Sequence, residues 1–269
     1  MNLLPTVGIN LTSLGEYLEV SAKTVRANEL PSHVSALLKE YQDDALVPEP
    51  RWEKVDPDWA SLMRPPDSEK ADCVGLIKFS AYDFQTLRRF VASFRGSKDT
   101  PAAVQLLKQT IRNYLTIDGG FEVLGVFASE AKLYTVTRNK AKEFIGLHVD
   151  NWDNRSISTR TESRSRICVN LGPGHRYFLF SPVRFIDASV EGGVNPDLFS
   201  AATELGRTFL KNNPETPIFR LKLEPGFAYL APTESTIHDG STIDSTEASD
   251  TLVCFGKFGR RTAASFVQR

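Results

Sequence analysis

Apolar residues along the chain follow two different periods, and the change falls near Phe121. Before it the spacing is helical. Val34, Leu37 and Leu38 recur at three- and four-residue steps within 33–41, behind Ser32 as an N-cap. Asp83-Phe84-Gln85 opens a second helix, with Leu87, Phe90, Val91 and Phe94 on one face and Gly96 just past its end. A third runs from about 101 to 115, with Pro101 in its first turn and Val104, Leu106, Leu107 and Ile111 apolar. A polar, Pro-bearing connector, roughly 43–70, carries Trp52 and Trp59. The pattern predicts a mainly helical N-terminal part over 1–120.

Beyond Phe121 short runs rich in β-branched and aromatic residues alternate with turn signals. They lie at 122–127, 133–137, 144–149, 166–171, 177–180, 219–223, 227–230 and 251–258. Gly119-Gly120, Gly172-Pro173-Gly174, Glu224-Pro225-Gly226 and Asp239-Gly240 punctuate them. Asn195-Pro196 opens a helical insertion near 195–210. Strands of this number on one stretch predict a closed barrel or a double-sheet jelly roll, which shelters its edges. The expectation is a single domain over 1–269, mainly β with flanking helices, whose β core spans 121–260.

Composition narrows the function. With 41% hydrophobic and 24% charged residues the chain has ordinary globular fractions, which excludes disorder, collagen and coiled coil. The 32 Lys+Arg against 33 Asp+Glu leave a net charge of −1, without the overall basic field of a nucleic-acid binder. Cys73, Cys168 and Cys254 are odd in number, widely spaced and outside any CxxC pattern. A disulfide scaffold or structural zinc site is therefore disfavoured, and a reducing cytoplasm is the expected setting. Neither a secretion signal nor a membrane span is visible. A GxSxG elbow, a phosphate loop and a GxGxxG turn are all missing, which argues against hydrolase, kinase and dinucleotide-binding readings.

The candidate chemistry lies with two of the four histidines, His33, His148, His175 and His238. His148 and Asp150 stand in Gly146-Leu147-His148-Val149-Asp150 at a predicted strand end, where residues i and i+2 share a face. Ninety residues on, Thr236-Ile237-His238-Asp239-Gly240 again ends a strand. Together they form a His-x-Asp…His set. Two imidazoles and a carboxylate fill one face of Fe(II) and leave positions for O2 and a co-substrate. A polar turn at 238–240 and a satisfied core histidine at 148 are the competing readings. His175 alternates with Arg176 and faces away from it, and His33 lies on a predicted outer helix. The segment 151–166 interleaves Arg155, Arg160, Arg164 and Arg166 with hydroxyl residues. It reads either as a solvated loop or as a lid whose arginines pair with an anionic substrate, with Trp152 as an apolar wall.

These pieces resemble the Fe(II)/2-oxoglutarate-dependent oxygenase superfamily, built on the double-stranded β-helix. The resemblance covers roughly 133–257 and rests on Leu147-His148-Val149-Asp150, on ICVNLGPGHRYFLFSP (167–182), on EPGFAYLAP (224–232) and on Ile237-His238. It implies Fe(II) on His148, Asp150 and His238, and 2-oxoglutarate chelating that iron. A C–H bond of a small molecule is then hydroxylated, desaturated or cyclised, with succinate and CO2 as co-products. The carboxylate at Asp150 speaks against the halogenating subset. The far carboxylate of 2-oxoglutarate needs a cation. Many members carry it on the last strand, where 240–258 offers only Lys257. Others carry it on the strand after His-x-Asp, and that position matches Arg176, which is favoured over Lys257, with Arg166 third. Tyr134, Tyr229 and Thr251 are candidate hydroxyl partners. Two alternatives keep part of this reading: a 2-oxoglutarate-independent cupin-like metalloenzyme, and a non-catalytic β-barrel binding protein.

Overall fold

Two antiparallel sheets lie face to face around an aromatic core. The computed structural model describes residues 16–31, 40–55, 74–94, 101–191 and 202–260. In chain order the strands are β1 (Leu18–Ser21), β2 (Thr24–Arg26), β3 (Tyr41–Pro48), β4 (Glu53–Lys54), β5 (Gly75–Lys78), β6 (Leu115–Ser129) and β7 (Phe144–Gly146). They continue with β8 (Ser165–Pro173), β9 (Arg176–Arg184), β10 (Ile218–Leu223), β11 (Phe227–Ala231), β12 (Thr236–Ser241) and β13 (Ser249–Arg260). The α-helices are α1 (Ala81–Phe94), α2 (Pro101–Arg112), α3 (Phe185–Glu191) and α4 (Ala202–Asn212). One sheet has the order β12-β9-β10-β1-β4, its partner β5-β11-β8-β13-β6, and a smaller sheet β2-β3-β7. This is the double-sheet jelly roll that the strand spacing predicts.

Alternation along the strands explains the layers. On β9, Phe178 and Phe180 point inward to Phe219, Leu221, Cys168, Tyr229 and Val253. Tyr177 and Leu179 point outward onto Phe209 and Leu210 of α4 and Phe185 of α3. On β8, Cys168 faces inward, whereas Ile167, Val169 and Leu171 meet Leu87 and Phe90 of α1 and Leu107 and Ile111 of α2. Strands covered on both faces read as continuous apolar runs, which is why the ICV (167–169) and YFLF (177–180) segments show no polar alternation.

The helical reading of the first third is overturned for much of its described part. Five strands, β1 to β5, lie there, and only α1 and α2 are α-helical. The run 33–41 falls mostly outside the described residues, and Tyr41 opens β3. The connector expected at 43–70 holds β3 and β4, its remainder from 56 lying outside them. Four of these five strands are only two to four residues long, and pairing comes from distant partners: β1 on β10, β3 on β7. α1 begins earlier than Asp83 because Ser80 caps it: the Asp83 amide donates to Ser80 Oγ at 3.1 Å and the Ser80 hydroxyl to the Asp83 carboxylate at 3.0 Å. α2 ends at Arg112, and Leu115 already belongs to β6. The run 133–137 is buried but not a strand. Side chains tie it instead: Tyr134 donates to the Pro48 carbonyl at 2.7 Å, and the Leu133 amide to Thr242 Oγ1 at 3.0 Å. Of the expected insertion near 195–210, the described part is α4. Among the described residues no helix is long and apolar enough to cross a membrane.

Candidate metal centre

His148 follows β7, and His238 stands third in β12. Their backbones exchange both amide-to-carbonyl hydrogen bonds, His148 N–H to His238 O at 3.0 Å and the reverse at 2.8 Å. A hydrogen-bonded antiparallel pair sends both side chains to one face, and the ring centroids sit 4.6 Å apart. Asp150, two residues on, is held by its amide donating to the Thr233 carbonyl at 3.1 Å. Its Oδ1 lies 3.7 Å from His148 Nε2 and its Oδ2 3.5 Å from His238 Nε2. Ligand atoms of all three residues lie within 4.8 Å of one another, and all three side chains are buried.

Each ring is set by its other nitrogen. Nδ1 of His148 is 2.9 Å from the Gly146 carbonyl, and Nδ1 of His238 is 2.9 Å from that of Thr236. A carbonyl only accepts, so Nδ1 carries the proton and Nε2 keeps its lone pair, the tautomer a metal ligand needs. His238 Nε2 is buried without a hydrogen-bond partner, and Asp150 Oδ2 meets the Arg166 guanidinium, at 2.6 Å. An orphaned buried nitrogen costs free energy unless something coordinates it. Burial drives the His238 imidazole down to about 3, only partly opposed by Asp150, so it is neutral near pH 7. Burial pushes the Asp150 carboxyl up, but Arg166, His238 and His148 outweigh it and bring it to about 2. The donor set of two neutral imidazoles and one carboxylate fits a divalent iron site with open positions.

The three candidate anchoring cations have different surroundings. Arg166, on β8, places Nη2 2.6 Å from Asp150 Oδ2 and its guanidinium 5.2 Å from the Phe255 ring. Its charge is committed to the carboxylate. Lys257 is exposed on β13. Arg176 opens β9 on the inward face, is buried, donates to the Thr251 hydroxyl and keeps Nε without a partner. Among the described residues no carboxylate lies in ion-pair reach of it. A Cβ added at Gly240 would stand 2.6 Å from Arg176 Nη2, so the guanidinium lies against the strand that carries His238, two residues along. The Phe178 ring, 5.8 Å from His238 and stacked on Tyr229, lines the space between the sheets.

The arginines of 151–166 do not share one fate. Arg155 pairs with Glu162 at 3.0 Å, and Arg164 with Asp153 at 2.7 Å and Glu122 at 2.6 Å. Arg160 is buried and turned inward. Trp152 is 54% exposed, its ring 5.7 Å from Phe255 beside the centre. His175 lies edge-on to Tyr177 and is not part of the metal cluster; His33 lies outside the described residues. Two acids escaped the sequence reading. Asp239 is buried, accepts from the Thr137 hydroxyl at 2.7 Å and lies 3.9 Å from His148 Nδ1. Glu234 is buried beside the turn that launches β12. Both stand in the TESTIHDG run, where nothing local marks an acid as inward-facing.

No protein-family model and no curated protein sequence matches the chain. Solved structures do align with it. The Kdo hydroxylase KdoO, described as a non-heme Fe(II) alphaketoglutarate-dependent dioxygenase, aligns in its cobalt(II) complex at TM-score 0.37 and 12% identity, over 67% of this chain. This chain spans 65% of that structure's length. KdoO with alphaketoglutarate and Fe(III) aligns at TM-score 0.38 and 13% identity, over 69% of this chain and 80% of that one. The iron and alpha-ketoglutarate-dependent endoperoxidase NvfI aligns at TM-score 0.35 and 11% identity, over 91% and 100%.

Proposed function

We propose that the chain is one Fe(II)- and 2-oxoglutarate-dependent oxygenase domain that oxidises a C–H bond of a small molecule, by hydroxylation, desaturation or cyclisation. The observation that carries this reading is the convergence of His148 Nε2, His238 Nε2 and the Asp150 carboxylate in a buried cluster, with both Nδ1 atoms occupied by carbonyls. When bound there, Fe(II) with 2-oxoglutarate and O2 supplies the oxidant, and succinate and CO2 leave as co-products.

The protein's own part is positional. The two histidines and Asp150 hold the metal, and Arg176 with the Thr251 hydroxyl receives the far carboxylate of 2-oxoglutarate. What supports Arg176 over its rivals is its inward, acid-free setting: Arg166 is spent on Asp150, and Lys257 faces solvent. Two residues along a strand span roughly 7 Å, a length suited to a five-carbon diacid between metal and guanidinium. Phe178 and Tyr229 exclude water from the interior. Trp152 borders the outer side, and the half-buried Arg155, which pairs with the exposed Glu162, is the proposed contact for an anionic substrate in place of that carboxylate. The free, buried Cys168 and Cys254 support a reducing, cytoplasmic setting.

The test is succinate formation by purified protein with 2-oxoglutarate under air, with and without Fe(II). Slow iron-dependent succinate release without added substrate is the expected result. A protein that binds iron yet never consumes 2-oxoglutarate is instead a cupin-like metalloenzyme.

A further inference from the structure

We infer that Arg160 and Glu234 form a buried positioning pair that fixes Asp150 relative to His238 and thereby sets the affinity of the metal centre. This inference rests on the metal-centre reading above. Asp150 and His238 arrive from segments far apart in sequence, and something must hold those segments in register. The guanidinium of Arg160, 2% exposed, does so from the 3-10 turn Ile157–Glu162. Its Nη1 donates to the Asp150 carbonyl at 2.6 Å and to the Glu234 carbonyl at 3.1 Å, and its Nη2 donates to Asn151 Oδ1 at 2.7 Å.

Glu234 completes the tie from the other side. Its Oε1 accepts the Trp152 amide and, at 3.1 Å, the Asp153 amide, so it caps the turn that leaves Asp150. Its Oε2 lies 3.8 Å from Arg160 Nη1, and its side chain is also 2% exposed. Four residues further on, the same segment presents His238. Nη1 alone bridges the two carbonyls while Nη2 reaches Asn151, a fixed planar spread of donors that an ammonium on a flexible stem does not hold in place. Neither side chain touches the metal-facing atoms, so the pair acts through Asp150 and not as a ligand.

Co(II) titration of the apoprotein, followed by visible absorption and alongside thermal unfolding, tests this. Arg160→Ala and Glu234→Ala are each expected to weaken Co(II) binding by about 10- to 100-fold, the size typical of groups that orient ligands. The double variant is expected to be little worse than either single one, because the two serve one tie. Glu234→Gln keeps an oxygen for the two amides and should lose less than Glu234→Ala. The Co(II) absorption band should change shape in Arg160→Ala as Asp150 shifts. Unchanged Co(II) affinity and spectrum in folded Arg160→Ala and Glu234→Ala, with only a lower unfolding temperature, overturns the inference while leaving the metal centre standing. If Arg160→Ala does not fold, Arg160→Lys decides: several-fold weaker binding supports the pair, and wild-type binding overturns it. Wild-type protein that binds no Co(II), or binds it equally after His238→Ala, removes the metal-centre reading and this inference together.

Discussion

A histidine is ready for a metal when its second nitrogen is already engaged, and both His148 and His238 meet that condition through backbone carbonyls two residues upstream. His148→Ala or His238→Ala is therefore expected to abolish Fe(II)-dependent succinate formation while far-UV circular dichroism stays native; retained turnover in both variants excludes the triad. Arg176→Ala removes a buried cation that, in the proposed complex, faces a carboxylate. Truncating one partner of such a pair costs about 2–5 kcal/mol, so the 2-oxoglutarate requirement should rise about 30-fold or more. Lys257→Ala should leave it within about twofold, and the opposite ranking in a 2-oxoglutarate titration moves the anchor to β13. At this scale the sequence discloses the candidate ligands because the i, i+2 spacing of His-x-Asp turns two side chains to one side of an extended segment, here the one that follows β7. It does not disclose Arg160 or Glu234. A charged residue in a polar run gives no local sign of facing inward, and here only the fold brings the two together across 74 positions.

Elements position these residues, and the most exacting position is occupied by Gly146. It has φ 68°, and an added Cβ there would collide with the Leu46 carbonyl across the β3–β7 pairing. Its own carbonyl also holds His148 Nδ1. Gly146→Ala should cost about 1–3 kcal/mol in backbone strain alone and lower metal affinity as well. A thermal melt and a Co(II) titration of that variant check both, and a wild-type melt contradicts the packing described. Strands such as β8, β9, β10 and β13 are legible from sequence because both faces are buried and their residues are β-branched or aromatic. β12 is legible only in part: His238 reads as a strand end beside an Asp239-Gly240 turn, whereas Thr236–Ser241 is strand throughout, through pairing with β9 and the bridge to His148. The strands of the first third fail to show for the same reason. Tyr41–Pro48 has no period-two alternation, and its pairing is supplied by β2 and by β7, about a hundred residues away.

At the scale of the whole molecule, the centre lies where β7, β8, β12 and the loop after Asp150 meet, so loading it should stabilise the protein globally. A ligand at 100 times its dissociation constant contributes about 2.7 kcal/mol, which in a domain of this size raises the unfolding temperature by about 5–10 °C. Differential scanning fluorimetry with Co(II) and 2-oxoglutarate should show that rise in wild type, lose it with chelator, and not show it in His238→Ala; an equal rise in that variant places the metal elsewhere. The layered β architecture follows from the sequence pattern, since runs buried on both faces require covering helices, and α1 and α2 supply them. The centre itself is most directly tested by an anaerobic crystal structure of the protein with Fe(II) and 2-oxoglutarate. One iron is expected roughly 2.0–2.2 Å from His148 Nε2, His238 Nε2 and an Asp150 oxygen, with the far carboxylate of 2-oxoglutarate on Arg176. Iron held without one of the two histidines contradicts that expectation.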